Sequence, residues 1–178
     1  HVWALQAGND PDPTHLDEAD ACARAIGALD PDSRHGHRLR GFVQFQRGDL
    51  RGARPHLEAA LDADPDDPDA LGILGYLYCL AGREDAALTL FDRLMAIDPL
   101  TPLNHGMRGV AAIFQGRFED AIEPYRTFLR MDEDGAFALM NRVWSLGLVG
   151  RIEEAEPAVR RLAAVHPGTP LEAITRSL

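Results

Sequence analysis

Lysine is absent from this chain: all 18 basic residues are arginine, set against 28 acidic residues for a net charge of −10 over 178 residues. Avoiding one cation so completely points to a GC-rich coding bias more than to a functional choice. The negative excess, with the arginines scattered, repels phosphate backbones and argues against a nucleic-acid partner. Cysteine is scarce as well. Cys22 and Cys79 fall at non-equivalent places, too few for a disulfide framework, and Cys79 reads first as a small apolar core residue. No run approaches the roughly 18 consecutive apolar residues of a membrane span, and the first residues lack a signal-like apolar stretch. The expectation is no membrane partner and a cytoplasmic location. Also missing are a Gly-rich phosphate loop behind a strand, a Ser nucleophile elbow and paired carboxylates in a cleft-forming context. An enzyme is therefore not expected, and neither is a cofactor.

What is present is a period. Pro31, Pro65, Pro99, Glu133 and Pro167 stand 34 residues apart, in step with Ala19, Ala53, Ala87, Ala121 and Ala155 and with Gly48, Gly82, Gly116 and Gly150. A fixed period of this length means stacked supersecondary units, none of which buries its apolar face alone. One unit is clearest in residues 68–101. Leu71, Leu74 and Tyr78, then Ala87, Leu90, Phe91 and Leu94, fall at helical spacing. Between these two amphipathic helices Gly82 is free to take the left-handed conformation that ends a helix. The small Ala87 marks where the second helix passes close to the first. Asp98-Pro99 closes the unit, because Pro cannot donate the helical hydrogen bond and pushes the residue before it out of the α region.

Leu71, Leu74, Gly75, Tyr78, Ala87, Phe91 and Pro99 follow a degenerate Trp-Leu-Gly-Tyr-Ala-Phe-Pro pattern, so the chain resembles the tetratricopeptide-repeat family. The resemblance implies an all-α, right-handed superhelical solenoid of antiparallel helix hairpins in a single domain. It divides the chain into a partial repeat at 1–33, repeats at 34–67, 68–101, 102–135 and 136–169, and a capping helix at 170–178. In the partial repeat, Pro11 and Pro13 forbid a full first helix, and Val2 to Ala7 make at best a short one. A start at His1 and a clipped first repeat predict a piece of a longer protein. Four features depart from the pattern. Arg40, Arg108 and Arg142 stand where Leu74 stands in its repeat, predicting stems laid on the core or pairing with carboxylates. Val143 replaces a close-packing Gly, and Glu133 replaces a terminal Pro. Pro55, Pro124 and Pro157 lie inside second helices, predicting bends.

In this family the first helix of every repeat lines a concave face, and the resemblance puts the lining at set positions of the unit. Those positions give Arg38, Phe42 and Phe45 in the second repeat, Gly72, Tyr76 and Cys79 in the third, Gly106 and Val110 in the fourth, and Met140 and Trp144 in the fifth. Large aromatics beside small residues suit a groove that receives a peptide through apolar side chains. Phe42, Tyr76 and Trp144 are the expected anchors, with Arg38 orienting the ligand. A polar clamp on a peptide carboxylate is disfavoured, since Arg38, Asn141 and Arg108 are the only inner polar candidates. Asp62 to Asp69 alternates carboxylates as a calcium loop does, but lacks the central Gly and closing Glu; helix capping is the expected use. His35 and His37, the only close histidine pair, point to different helix faces, so no metal site is expected. The expected function is a protein-interaction module for a peptide or partner protein. Two alternatives stand beside it: a regulatory segment of a larger bacterial signalling enzyme, such as a cyclase or kinase, and a self-association module.

Overall fold

Four glycines decide where helices stop. Gly48, Gly82, Gly116 and Gly150 take φ of +79°, +67°, +71° and +79°, the left-handed region in which a side chain is strained. Around each, the next residue's N–H bonds back to a helical carbonyl, as in Asp49 N to Gln44 O (2.9 Å) and Arg83 N to Tyr78 O (2.8 Å). This six-to-one closure satisfies a carbonyl that the helix end leaves without a donor. The computed structural model describes residues 14–165, and among them every regular element is an α-helix. They are α1 (Thr14–Leu29), α2 (Arg34–Gln46), α3 (Leu50–Ala63), α4 (Pro68–Leu80), α5 (Glu84–Ile97), α6 (Pro102–Phe114), α7 (Phe118–Met131), α8 (Ala136–Leu148) and α9 (Ile152–Val165). The stretch Val2 to Ala7 and the capping helix expected at 170–178 lie outside the described residues. No helix among those described is long and apolar enough to cross a membrane.

The helices fall into two compact units, one ending at Ile97 and the other beginning at Asp98. In the first, α1 to α5 pack in sequence and α2 also touches α4. In the second, α6 to α9 do the same and α6 touches α8. The turns between hairpins share one device. Asp30, Asp64 and Asp132 each accept the N–H two residues on, at 3.2–3.3 Å, and Asp98 accepts that of Thr101 at 3.2 Å. Asp67 then caps α4 by accepting the Ala70 N–H at 2.9 Å, a bond type whose loss costs about 1 kcal/mol. Asp64 and Asp66 also meet Arg34 and Arg93, so the acidic loop is occupied with turns, a cap and ion pairs.

Within a hairpin the two helices meet at a glycine. A Cβ on Gly41 would stand 2.8 Å from Leu57, one on Gly109 2.8 Å from Tyr125, and one on Gly75 would overlap the Phe91 ring. Leu57, Phe91 and Tyr125 are themselves fully buried, each contributing about 1.5–3 kcal/mol of apolar burial. The equivalent pair in the last hairpin is Val143 and Val159: the glycine has grown and its partner has shrunk. Val143 packs with Leu139, Ala158 and Leu162, so the departure from the repeat pattern is a redistribution of volume. The alanine ladder lies below these contacts, with Ala53, Ala87 and Ala121 wholly buried and Ala155 nearly so.

Pro55, Pro124 and Pro157 lie inside α3, α7 and α9, and each helix continues on both sides of its proline. The carbonyls four residues earlier, on Arg51, Asp120 and Glu153, belong to exposed residues of the first turn. At such exposed positions solvent can supply the donor that the proline lacks.

Two glycines of α4 separate packing from ligand space. Gly75→Ala should destabilise the protein by about 1–3 kcal/mol through overpacking. At Gly72 the nearest atom to an added Cβ is Leu94 Cδ2 at 3.6 Å, an ordinary contact. Gly72→Ala should therefore be neutral or stabilising by up to about 1 kcal/mol. Urea unfolding of the two variants measures both.

Candidate functional site

In the first unit the leading helices α2 and α4 bring four of the expected residues near one another. The Phe45 and Tyr76 rings meet edge to face, with centroids 5.7 Å apart and planes at 81°. Such pairs contribute about 0.5–1.5 kcal/mol beyond their burial. Both rings are half-buried, and burial raises the Tyr76 hydroxyl pKa above its ordinary value. Gly72 sits one turn earlier on α4, partly exposed. Arg38 is already engaged: Nη1 donates to Asp69 Oδ2 at 2.6 Å and Nε lies 3.8 Å from Asp67 Oδ2. Burial pushes the Asp69 carboxyl up and the Arg38 charge works against it. A ligand anion would have to draw Arg38 from this pair.

Two expected residues of the same helices lie deeper. Phe42 is 2% exposed and belongs to a core with Val43, Leu57, Ile73 and Leu77. Cys79 is also 2% exposed, and burial pushes its thiol up to about 11. At neutral pH it is protonated and unreactive.

In the second unit the contrast is sharper. Val110 is buried, and the space beside Gly106 is taken by Phe128, Tyr125 and Phe137, all within 3.5 Å of where a Cβ would stand. These rings pack on one another, Tyr125 against Phe137 edge to face at 6.0 Å. On α8 the opposite holds. Met140, Trp144 and Leu148 are 41%, 64% and 58% exposed, and spacing of four places them on one helix face. Gly147, beside them, has no neighbouring atom within 4 Å of an added Cβ. Asn141 donates to its own helix at Phe137 O (2.7 Å), leaving the stripe without a polar arm from that side chain.

The three arginines at apolar repeat positions have separate fates. Arg40 lays its guanidinium on α1, 3.0 Å from the point where Gly27 would carry a Cβ. Arg108 is exposed, and Arg142 has a buried Nε with no hydrogen-bond partner among the described residues. A contact with no signal in the sequence joins His37 of α2 to His56 of α3, Nδ1 to Nδ1 at 3.0 Å. Nineteen residues separate them, off any helical or repeat spacing. Burial first, then the charges of His37 and Arg40, hold the His56 pKa below its ordinary value.

Sequence models of the tetratricopeptide repeat match residues 44–110 and 107–170. Among solved structures the chain is similar to YrrB, described as a tetratricopeptide-repeat protein with an unusual peptide-binding site. The two share 18% identity with a TM-score of 0.66, over 93% of this chain and 85% of that one. It is also similar to MamA at 16% identity and TM-score 0.67, covering 99% and 96% of the two chains. A second MamA structure, from MSR-1, gives 20% identity and TM-score 0.63 over 99% and 94%. At these identities the likeness is one of fold.

The histidine pair gives a pH dependence. With its folded pKa depressed, His56 supports the native state while neutral. Its contribution is complete above the unfolded value of about 6.5 and is lost as pH falls through the lower folded value. Urea midpoints should therefore drop between about pH 7.5 and pH 5.5, above the range near 4 in which carboxylates titrate. His56→Gln should flatten that drop. Alkylation gives a second check: Cys22, exposed on α1, should react with iodoacetamide in the native protein, and Cys79 only on unfolding.

Proposed function

Since the chain belongs to the tetratricopeptide-repeat family, we propose that it is a protein-interaction module that takes an apolar peptide segment of a partner on the outward faces of its leading helices. The observation that carries this reading is the stripe of Met140, Trp144 and Leu148 on α8. Large apolar side chains standing in water along one helix face, beside an open glycine, lose that unfavourable exposure when a partner covers them. Trp144 is the anchor, because a tryptophan at the centre of a contact patch contributes disproportionately to binding.

The first unit supplies a smaller surface of Phe45, Tyr76 and Gly72, with the Arg38–Asp69 pair at its edge. The rings are already ordered by their contact, so little side-chain freedom is lost on binding. Phe42, Cys79, Gly106 and Val110 act beneath these surfaces, fixing the backbone on which the exposed residues stand. That the ligand is a peptide is in keeping with YrrB, which is described as having a peptide-binding site. A second copy of this chain is the other occupant that the α8 stripe would accept.

Peptides selected from a random library against the whole chain supply the ligand for a test by calorimetry. Trp144→Ala should weaken an α8-bound peptide by about 30-fold or more, the scale of a hot-spot loss. Tyr76→Ala should do the same, less strongly, for a peptide on the first unit. Both variants should keep the wild-type helical circular dichroism. Unchanged affinity in both would move recognition to the second helices. A mass in light scattering that falls on dilution, and falls already in Trp144→Ala, would favour the second copy.

A further inference from the structure

In a chain with ten more acidic than basic residues, guanidinium groups find carboxylates readily. Arg47 holds Asp17 and Asp20, Arg93 holds Asp66, and Arg161 holds Glu133 and Asp134. Among the described residues Arg40, Arg142, Arg51 and Arg83 have no acidic side chain within ion-pair distance, and the last two share a site. Both line the same cavity of about 490 Å³, formed by the start of α3 and the end of α4. Arg54 lines it too, and reaches its nearest carboxylate, Glu58 Oε1, only at 3.9 Å. Three arginines thus line one pocket, and among the described residues the one acidic side chain in ion-pair contact with any of them is Glu58.

The pocket between α3 and α4 is mostly apolar in its lining. Its lining includes the buried Leu77, the partly exposed Leu50 and the ring of Tyr78. The Arg83 guanidinium carbon stands 4.5 Å from that ring centroid, a cation–π contact that holds the charge at the rim. The Tyr78 hydroxyl donates to Glu58 at 3.3 Å, fixing the ring as a wall. Arg51 and Arg54 both lie near the amino end of α3, where the helix dipole is positive and cations are unfavourable. Asp49 is turned to the Gly52 N–H, capping the helix. An anion seated in the pocket would relieve the mutual repulsion of the arginines and the clash with the dipole together.

We propose that this pocket is a second binding site, for an acidic peptide segment that sets one large apolar side chain against Tyr78 and Leu77 and its carboxylates against Arg51, Arg54 and Arg83. The volume is that of a pocket for one side chain and its neighbours, at the small end of ligand sites. The net negative charge of the protein does not forbid an acidic ligand, because fields beyond about 8–10 Å are screened at physiological salt. Tyr78 is two residues from Tyr76, and that spacing puts the two rings on different faces of α4, while Leu80, which also lines the pocket, follows Tyr76 by one turn.

The test uses the whole chain and a fluorescein-labelled ten-residue peptide of Asp and Glu with one central Trp, followed by anisotropy. Binding should weaken by about fivefold or more when salt rises from about 50 to 300 mM. It should weaken by about tenfold or more in the Arg51→Gln, Arg83→Gln double variant, or when the peptide Trp is replaced by Ala. The arginines are exposed, so circular dichroism of the double variant should match wild type. Tyr76→Ala and Trp144→Ala should leave this peptide's affinity unchanged, which keeps the result separate from that for the leading helices. Equal affinity for the double variant, equal affinity for a Lys-for-acid peptide, or no binding by 1 mM protein would each overturn the proposal. Loss of binding in Tyr76→Ala would also overturn it, by moving the peptide to the other face.

Discussion

Everything in each hairpin depends on how closely its second helix approaches its first. Gly41, Gly75 and Gly109 present bare backbone, and Leu57, Phe91 and Tyr125 fill the space a side chain would need. Interiors are packed like organic crystals, so this contact fixes the separation of the helices within a fraction of an ångström. The buried alanines then let the rest of the second helix lie flat on the first. Where Val143 replaces the glycine, the smaller Val159 replaces the large partner, so the added bulk on one helix is matched by a loss on the other.

This geometry uses up one face of every leading helix, and neighbouring helices cover the other to different degrees, burying Phe42 and Val110 and leaving Trp144 in water. Charge plays the lesser part. Most ion pairs join exposed groups, as with Arg47 and Asp17 or Arg161 and Glu133, and such pairs contribute about 0–1 kcal/mol each. Arg38 differs, since its partners Asp67 and Asp69 are largely buried at the start of α4. It ties α2 to the capped end of α4 and so orients the surface that carries Tyr76. An all-arginine basic set suits these roles, because the planar guanidinium meets two acceptors at once, as Arg47 does with Asp17 and Asp20. The arginines of the α3–α4 pocket depart from this use: Arg51 meets no carboxylate within ion-pair distance among the described residues, and Arg83 lies over the Tyr78 ring.

The helices, their ends and their pairing into hairpins were legible in the chain because local chemistry sets them. A glycine after an apolar stripe stops a helix wherever it stands, and an aspartate before a proline or a turn finds the next free N–H. The asparate ladder at 30, 64, 98 and 132 was visible only in part, through Asp98-Pro99, although it follows the same 34-residue period. The candidate surface was legible as a set of positions but not as a set of exposures. Phe42, Tyr76, Val110 and Trp144 occupy one place in successive repeats, yet Phe42 and Val110 are buried, Tyr76 is half-buried and Trp144 stands out in water.

The sequence by itself determined the period, the helix termini, the glycine contacts and the family, since each is a matter of neighbours along the chain or one repeat away. Only the tertiary structure decided which equivalent residues face outward, that His37 meets His56, that Asp69 holds Arg38, and that Arg51, Arg54 and Arg83 gather around Tyr78. Each of these joins side chains from different helices, at separations unrelated to the repeat. Burial and charge depend on everything within a few ångströms of a group, and a period fixes the backbone without specifying which side chains fill the space around it.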